Sequence, residues 1–348
     1  MPPLPPLSHP HTPRLIVYHQ THHTPSGEHV PLLPLISTPL THLILAAIHL
    51  NAHPTTPTLT LNDHPPSHPR NTTLFAELRL LQSSGIKVLG MLGGAAKGSF
   101  AVLDSAPAQF ETYYSLLHRL ISAAALDGLD LDVEEPMSLP GILRLIDRLR
   151  SDFGPSFVIT LAPVATALLS RDPRYNLSGF DYAALETVRG REIAWYNAQF
   201  YCGWGDASTP AGYMAVTGAG WDARRVVLGV VTNARNGAGF VGLWALAETV
   251  VGIGEVVGRG WGGVMGWEYF NALPGGDEGR PWEWVEVLGG LLGSSREGVS
   301  NEGELEGTVE IKKREKERIV IVVVDGDGDG EVESVPAEFE YFSDMSDS

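Results

Sequence analysis

A closed (β/α)8 TIM barrel is the fold that this sequence predicts, on three observations. Eight short runs rich in β-branched and aliphatic residues begin about 30–45 residues apart. The intervals between them have room for a loop, a helix and a second loop, and strands alternating with helices build a parallel sheet. The length, 348 residues, suits one such barrel of about 250 residues with appended tails.

Residues 1–13 form a Pro/His leader that is expected to be disordered. The candidate strands follow at 14–19, 42–50, 86–92, 128–133, 157–163, 193–201, 225–232 and 263–269. Two helices are readable between them. Phe110, Tyr114, Leu117 and Ile121 make one apolar stripe, and Ile142, Leu145, Ile146 and Leu149 make another at helical spacing. Ser138 is placed to cap the second helix, Pro140 falls in its first turn, and Gly154 lies beyond its end. The barrel domain therefore runs over 14–294. The segment 295–348 is charged and poor in aromatics, and it reads as an acidic, disordered tail. An apolar run at 319–324 within it is able to pair as a strand.

Composition excludes several classes of function. The formal net charge is −17, and residues 301–348 hold 15 acidic and 5 basic side chains, a net of −10, which leaves −7 for the first 300. Nothing resembles the clustered Lys and Arg that bind nucleic acid. The single cysteine forbids an intrachain disulfide. No apolar run has the length of a signal peptide or a membrane span. The expectation is a monomeric cytoplasmic protein without membrane contact, with non-classical secretion as the alternative.

The chemistry concentrates in LDGLDLDVEEP. Side chains alternate along a strand, so Asp130, Asp132 and Glu134 share one face while Leu129, Leu131 and Val133 share the other. The surrounding helices need apolar contacts, which turns the carboxylates into the lumen. Pro136 ends the strand and puts Glu134 at its C-terminal mouth, where barrel active sites lie. Three inward carboxylates repel one another unless they share protons or meet a cation. A divalent cation on the alternating aspartates is the main competing reading, and a structural role lacks evident basic partners. By the same parity Asn197, Gln199 and Tyr201 line the lumen from the sixth strand.

DGLDLDVE matches, at every fixed position, the DGxDxDxE signature of glycoside hydrolase family 18, the chitinases and endo-β-N-acetylglucosaminidases. LGGAAKGSF resembles the family's third-strand SxGG motif, with Met91 where serine is usual. WYNAQFY and GGVMGWEYF resemble its sixth and eighth strands. Residues 14–293 carry the resemblance, and within the family they are most similar to fungal Endo T-like endo-β-N-acetylglucosaminidases. The resemblance implies cleavage of the β-1,4 bond beside N-acetylglucosamine with the substrate's own 2-acetamido oxygen as nucleophile, a mechanism in which no second protein carboxylate attacks. Glu134 is then the proton donor, Asp132 orients the acetamido group, and Asp130 shares a proton with Asp132. Tyr201 bonds the acetamido carbonyl, and Trp267 lies beneath the reacting sugar. Gly93, Gly94 and Asp127 join Trp267, Gln199 and Asn197 in the expected substrate-binding set, although Asp127 alternatively pins the strand entrance. Expected partners are an N-glycan or a chitin oligosaccharide, and no metal or other cofactor is expected. An inactive lectin and a metal-dependent glycosyltransferase are competing readings that the intact Glu134 disfavours.

Other signals are weaker. Gly237, Gly239 and Gly242 form a GxGxxG, but no acidic residue follows at the position that a ribose would need. The loop around Lys97 lacks the residue order of a phosphate-binding loop. His19, His22 and His23 have chelating spacing, yet eleven of twelve histidines fall in the first 70 residues, so composition bias explains them. The acidic run at 325–330 imitates the start of a calcium loop but has Pro336 at its twelfth position.

Overall fold

The structure is a computed structural model that describes residues 13–53, 56–258, 260–294 and three strands beyond them. Eight parallel strands close the barrel: β1 (Arg14–His19), β2 (His42–Asn51), β4 (Lys87–Gly93), β5 (Gly128–Asp132), β6 (Val158–Leu161), β7 (Trp195–Gln199), β8 (Val226–Val231) and β9 (Gly263–Trp267). They pair in chain order, and β1 closes the ring by pairing with both β2 and β9. All eight expected strands are present, with ends that agree to within two residues.

A short strand, β3 (Thr58–Leu61), folds back antiparallel on the overhanging end of β2. The sequence reading did not anticipate it. The first crossover also lacks the expected helix and contains only a 3-10 turn, Leu33–Ser37. Pro31, Pro34 and Pro39 explain this, because proline removes donors and clashes inside an α-helix.

The other crossovers carry α1 (Thr72–Ser83), α2 (Ser99–Leu103), α3 (Pro107–Ala124), α4 (Leu139–Phe153), α5 (Tyr182–Arg189), α6 (Ala211–Gly218) and α7 (Leu243–Val257), and α8 (Trp282–Ser294) follows β9. Both expected stripes are buried, on α3 and α4. The Ser138 hydroxyl accepts the Gly141 amide hydrogen, and Gly154 takes φ 75° just past the last turn of α4. Such a cap satisfies a helix-end donor and is worth about 1 kcal/mol.

Alternation sorts the strands into two faces. Ile16, Tyr18, Ile44, Leu89, Met91, Val227 and Met265 meet in the lumen. Leu129, Leu131 and Val133 face the helices and are buried there, so β5 turns Asp130 and Asp132 inward. Among the described residues no helix is long and apolar enough to cross a membrane.

Residues 290–348 form a second unit by themselves. In the segment expected to be disordered, β10 (Thr308–Arg314), β11 (Arg318–Val324) and β12 (Glu331–Pro336) make an antiparallel sheet with β11 in the middle. The apolar 319–324 run is therefore a strand. The leader up to residue 12 and the acidic run at 325–330 lie outside the described residues.

Asp127 requires a correction. It precedes β5 at the barrel's N-terminal end, remote from the mouth. Its carboxylate accepts hydrogen bonds from Gln82 Nε2 (2.9 Å), the Val88 backbone N–H (2.9 Å) and Lys87 Nζ (2.9 Å). Burial would raise its pKa, but these donors outweigh burial and hold it below the usual value. Asp127 pins the strand entrance and is not placed to bind substrate. Replacing it with alanine strands the Val88 N–H, so Asp127→Ala should cost about 1–3 kcal/mol of stability. Thermal denaturation should register that loss while kcat/KM of the folded protein is unchanged.

Candidate active site

The site is built outward from Asp130. Its side chain has no solvent exposure, and a buried carboxylate without donors is very costly. Three strands supply them. Tyr18 of β1 donates its hydroxyl hydrogen to Oδ2 at 2.7 Å, and Thr160 of β6 and Asn197 of β7 donate to Oδ1 at 2.5 and 3.0 Å. Asn197 is itself oriented by the Trp195 indole N–H, 2.9 Å from its Oδ1. Burial pushes the Asp130 carboxyl up, and the three donors pull it partly back.

One turn of the pleat higher, Asp132 lacks such a shell. Its side chain accepts from Gln199 Nε2 at 3.2 Å, which lies equally close to Glu134 Oε1 and 2.9 Å from the Ala162 carbonyl. Burial, then the charges of Glu134 and Asp130, push Asp132 well above the ordinary aspartate range. Glu134 sits at the mouth and is also raised, chiefly by burial. The ladder of carboxylates thus binds protons more tightly toward the mouth than free carboxylates do, which suits a proton donor.

The walls come from other strand ends. Tyr201 follows β7, and its hydroxyl has no hydrogen-bond partner among the described residues. Burial and the neighbouring Asp132 and Glu134 charges raise its pKa, so it keeps its proton and is free to donate. Trp267 ends β9, the strand diametrically across the ring from β5, and packs edge-on to Tyr18 with centroids 5.5 Å apart.

Comparison with solved structures decides the family. A fungal endo-β-N-acetylglucosaminidase from glycosyl hydrolase family 18 superimposes with a TM-score of 0.76 and 46% identity, covering 82% of this chain and 99% of the other. The chain belongs to glycosyl hydrolase family 18. The chitinase ChiC from Aspergillus fumigatus matches with a TM-score of 0.72 and 51% identity over 78% of this chain and 97% of that one. A family 18 chitinase from Pseudoalteromonas aurantia, 20% identical with a TM-score of 0.63, shares the fold. No family model and no curated protein sequence matches the chain.

The family 18 motif residues Asp130, Asp132 and Glu134 share the lumen with Asn197, Gln199, Tyr201 and Trp267. Gly93 and Gly94 serve the same place through their backbone. Gly94 N donates to the Asp132 carbonyl at 2.9 Å, and a Cβ on Gly93 would lie 2.4 Å from that carbonyl and from the Phe100 ring. Only glycine lets the third strand approach Asp132 so closely at φ 98°. Met91 is buried where the family motif has serine, and its methyl end packs beneath Gly94.

Four supporting residues escaped the sequence reading. Tyr18 and Thr160 complete the Asp130 shell. Glu135 accepts from the backbone N–H groups of Gly98 and Phe100 at 2.8 and 2.7 Å, which clamps the loop beside Asp132. Glu268 accepts from the Gln20 and Thr21 amides at 3.0 and 2.8 Å and from the Thr21 hydroxyl at 2.8 Å. No local pattern marks these residues, because their partners are remote in sequence. Among the described residues no group of three His, Cys, Asp or Glu is placed to hold a metal ion.

The raised pKa of Asp132 gives a signed stability prediction. A carboxyl whose folded pKa exceeds its unfolded value favours the fold at low pH and loses that contribution as pH rises through the folded value. Asp132→Asn removes the penalty. Its melting temperature should match the parent near pH 4 and exceed it at pH 8, by about 2–4 °C for each kcal/mol relieved. Paired calorimetric scans at the two pH values would check this; equal shifts at both would contradict it.

Proposed function

We propose that the protein is a retaining endo-β-N-acetylglucosaminidase that cuts the β-1,4 bond between the two N-acetylglucosamine residues of the N-glycan core. The 46% identity to a fungal endo-β-N-acetylglucosaminidase carries the choice of bond, and the mechanism rests on the buried Asp132–Glu134 pair, both carboxyls held above their ordinary range. Glu268, the buried carboxylate next to Trp267 on the opposite strand, has both oxygens engaged by β1-loop donors. A two-carboxylate retaining mechanism needs a nucleophile about 5–5.5 Å from the acid. With Glu268 committed, the substrate's acetamido group supplies the nucleophile.

In this mechanism Glu134 gives its proton to the glycosidic oxygen as the bond to the anomeric carbon breaks. The acetamido carbonyl oxygen attacks that carbon from the opposite face and forms an oxazolinium ion. Asp132, sharing its proton with Asp130 below, accepts a hydrogen bond from the acetamido N–H and in its ionised form offsets the developing positive charge. Tyr201 donates to the acetamido oxygen and fixes its line of attack. Trp267 offers a flat apolar face to the C–H side of the pyranose. Water then adds to the anomeric carbon, Glu134 takes its proton, and configuration is retained.

A chitinase reading uses the same atoms and is favoured by the 51% identity to ChiC. The two differ in what the cleft accepts beyond the disaccharide, so substrate choice separates them. Incubation with a high-mannose glycoprotein and, separately, with chitin oligosaccharides should leave a single N-acetylglucosamine on asparagine, as seen by mass spectrometry. Cleavage of the chitin oligosaccharides alone would establish the chitinase instead.

Glu134→Gln should lower kcat by at least about 100-fold, the lower end of what a positioned general acid contributes, with an unchanged circular dichroism spectrum. Near-normal turnover by that variant would place the proton donor elsewhere.

A further inference from the structure

The geometry points to Phe240 as a second aromatic wall of the sugar site, a substrate-contacting residue that closes the arc between Tyr201 and Trp267. This inference rests on the glycosidase reading above and names a further specificity residue for it. The GxGxxG of the sequence provides the starting point. Gly237, Gly239 and Gly242 do not cradle a phosphate; they shape the loop that joins β8 to α7, and Gly242 caps α7.

Both ends of this loop are tied to the active site. On one side Asn236 Nδ2 donates to the Trp267 carbonyl at 3.2 Å and to Asn271 Oδ1 at 2.9 Å, while Asn271 Nδ2 returns a bond to Asn236 Oδ1 at 2.9 Å. On the other side the Cys202 N–H donates to the Ala238 carbonyl at 2.8 Å. The loop thus spans from the residue under the expected sugar to the residue after Tyr201.

Glycine is required along that span. At Gly239 the backbone has φ 86°, and a Cβ would lie 3.3 Å from Tyr201 Cα. A Cβ at Gly237 would lie 2.8 Å from Cys202 Sγ. These close approaches bring the loop down against the end of β7, and the next side chain, Phe240, is partly buried and packs against the lumen cluster to which Tyr18, Met91, Tyr201 and Val231 belong, as Trp267 does.

The ring order gives the consequence. β5, with the acid, faces β9, with Trp267; β7 and β8 lie on one arc between them. Phe240 occupies that arc. Its side chain has no polar atom and remains partly exposed, resting on the apolar lumen cluster at the end of the barrel that carries Tyr201 and Trp267. An apolar ring held open at a hydrophilic mouth matches the C–H face or acetamido methyl of a 2-acetamido sugar, and sugar–aromatic contact releases the water that the ring otherwise orders.

Binding, separated from turnover, tests this. The protein carrying Glu134→Gln is titrated calorimetrically with a high-mannose glycoasparagine and with chitotetraose, with and without changes at Phe240. Phe240→Ala should weaken binding of the better ligand about tenfold. Phe240→Tyr should restore it, whereas Phe240→Leu, which fills the same apolar space without a flat face, should not. Melting temperatures of the variants identify any that fail to fold, and the Tyr and Leu pair still decides the question if Ala is unstable. Unchanged binding in Phe240→Ala, or full rescue by Phe240→Leu, would overturn the aromatic wall while leaving the glycosidase reading intact. Absence of binding to both ligands by the Glu134→Gln parent would defeat the glycosidase reading itself, and the wall with it.

Discussion

The site depends on how one fully buried carboxylate is held. Asp130 cannot reach water, so its oxygens must be met by donors, and β1, β6 and β7 each send one inward. A single aspartate thereby ties three barrel strands to a fourth. The carboxylate held by that shell also bears on Asp132 above it. Three donors offset part of the upward push of burial on Asp130, the Glu134 and Asp130 charges add to burial in raising Asp132, and Glu134 beside it is raised by burial. Burial thus dominates at the mouth, and the charge held on Asp130 adds to it at Asp132.

Two other buried carboxylates act as clamps. Glu135 holds the loop between β4 and α2 by backbone donors, and Glu268 holds the segment after β1. Each is adjacent in sequence to a residue of the site, Glu134 and Trp267 respectively. Rigid placement of a first contact by neighbours that are themselves fully bonded is what keeps a catalytic group within the small tolerance that reaction requires. The glycines of the third strand do the same work by omission, since the strand comes close to Asp132 only where no side chain intervenes.

The barrel strands were readable because each carries a run of branched or aliphatic residues with the right interval on either side. The inward set on β5 followed from parity alone, and Leu129, Leu131 and Val133 lie on the outer face as that argument requires. Parity did not say which end of a strand is the mouth for a residue just before it, and Asp127, fixed by the motif, proved to be at the closed end. β3 was missed because its four residues pair with an overhang of β2 rather than with the barrel. The absent first helix was signalled by three prolines. Tyr18, Thr160, Glu135 and Glu268 were not readable at all, since their roles arise from partners between 30 and 248 residues away.

Gln199 adds a constraint of number. Its amide nitrogen has two hydrogens and faces three oxygens, those of Asp132, Glu134 and the Ala162 carbonyl. One acceptor is therefore left unserved at any moment. A hydrogen shared between two carboxyls turns toward whichever is more negative, because bonds to an anion are the stronger. In the proposed mechanism the amide leans to Glu134 when that residue gives up its proton, and leans back when the charge moves to Asp132. An uncharged side chain bonded to both carboxyls makes each one's state felt by the other, and in the proposed cycle it would follow the proton without taking part in its transfer.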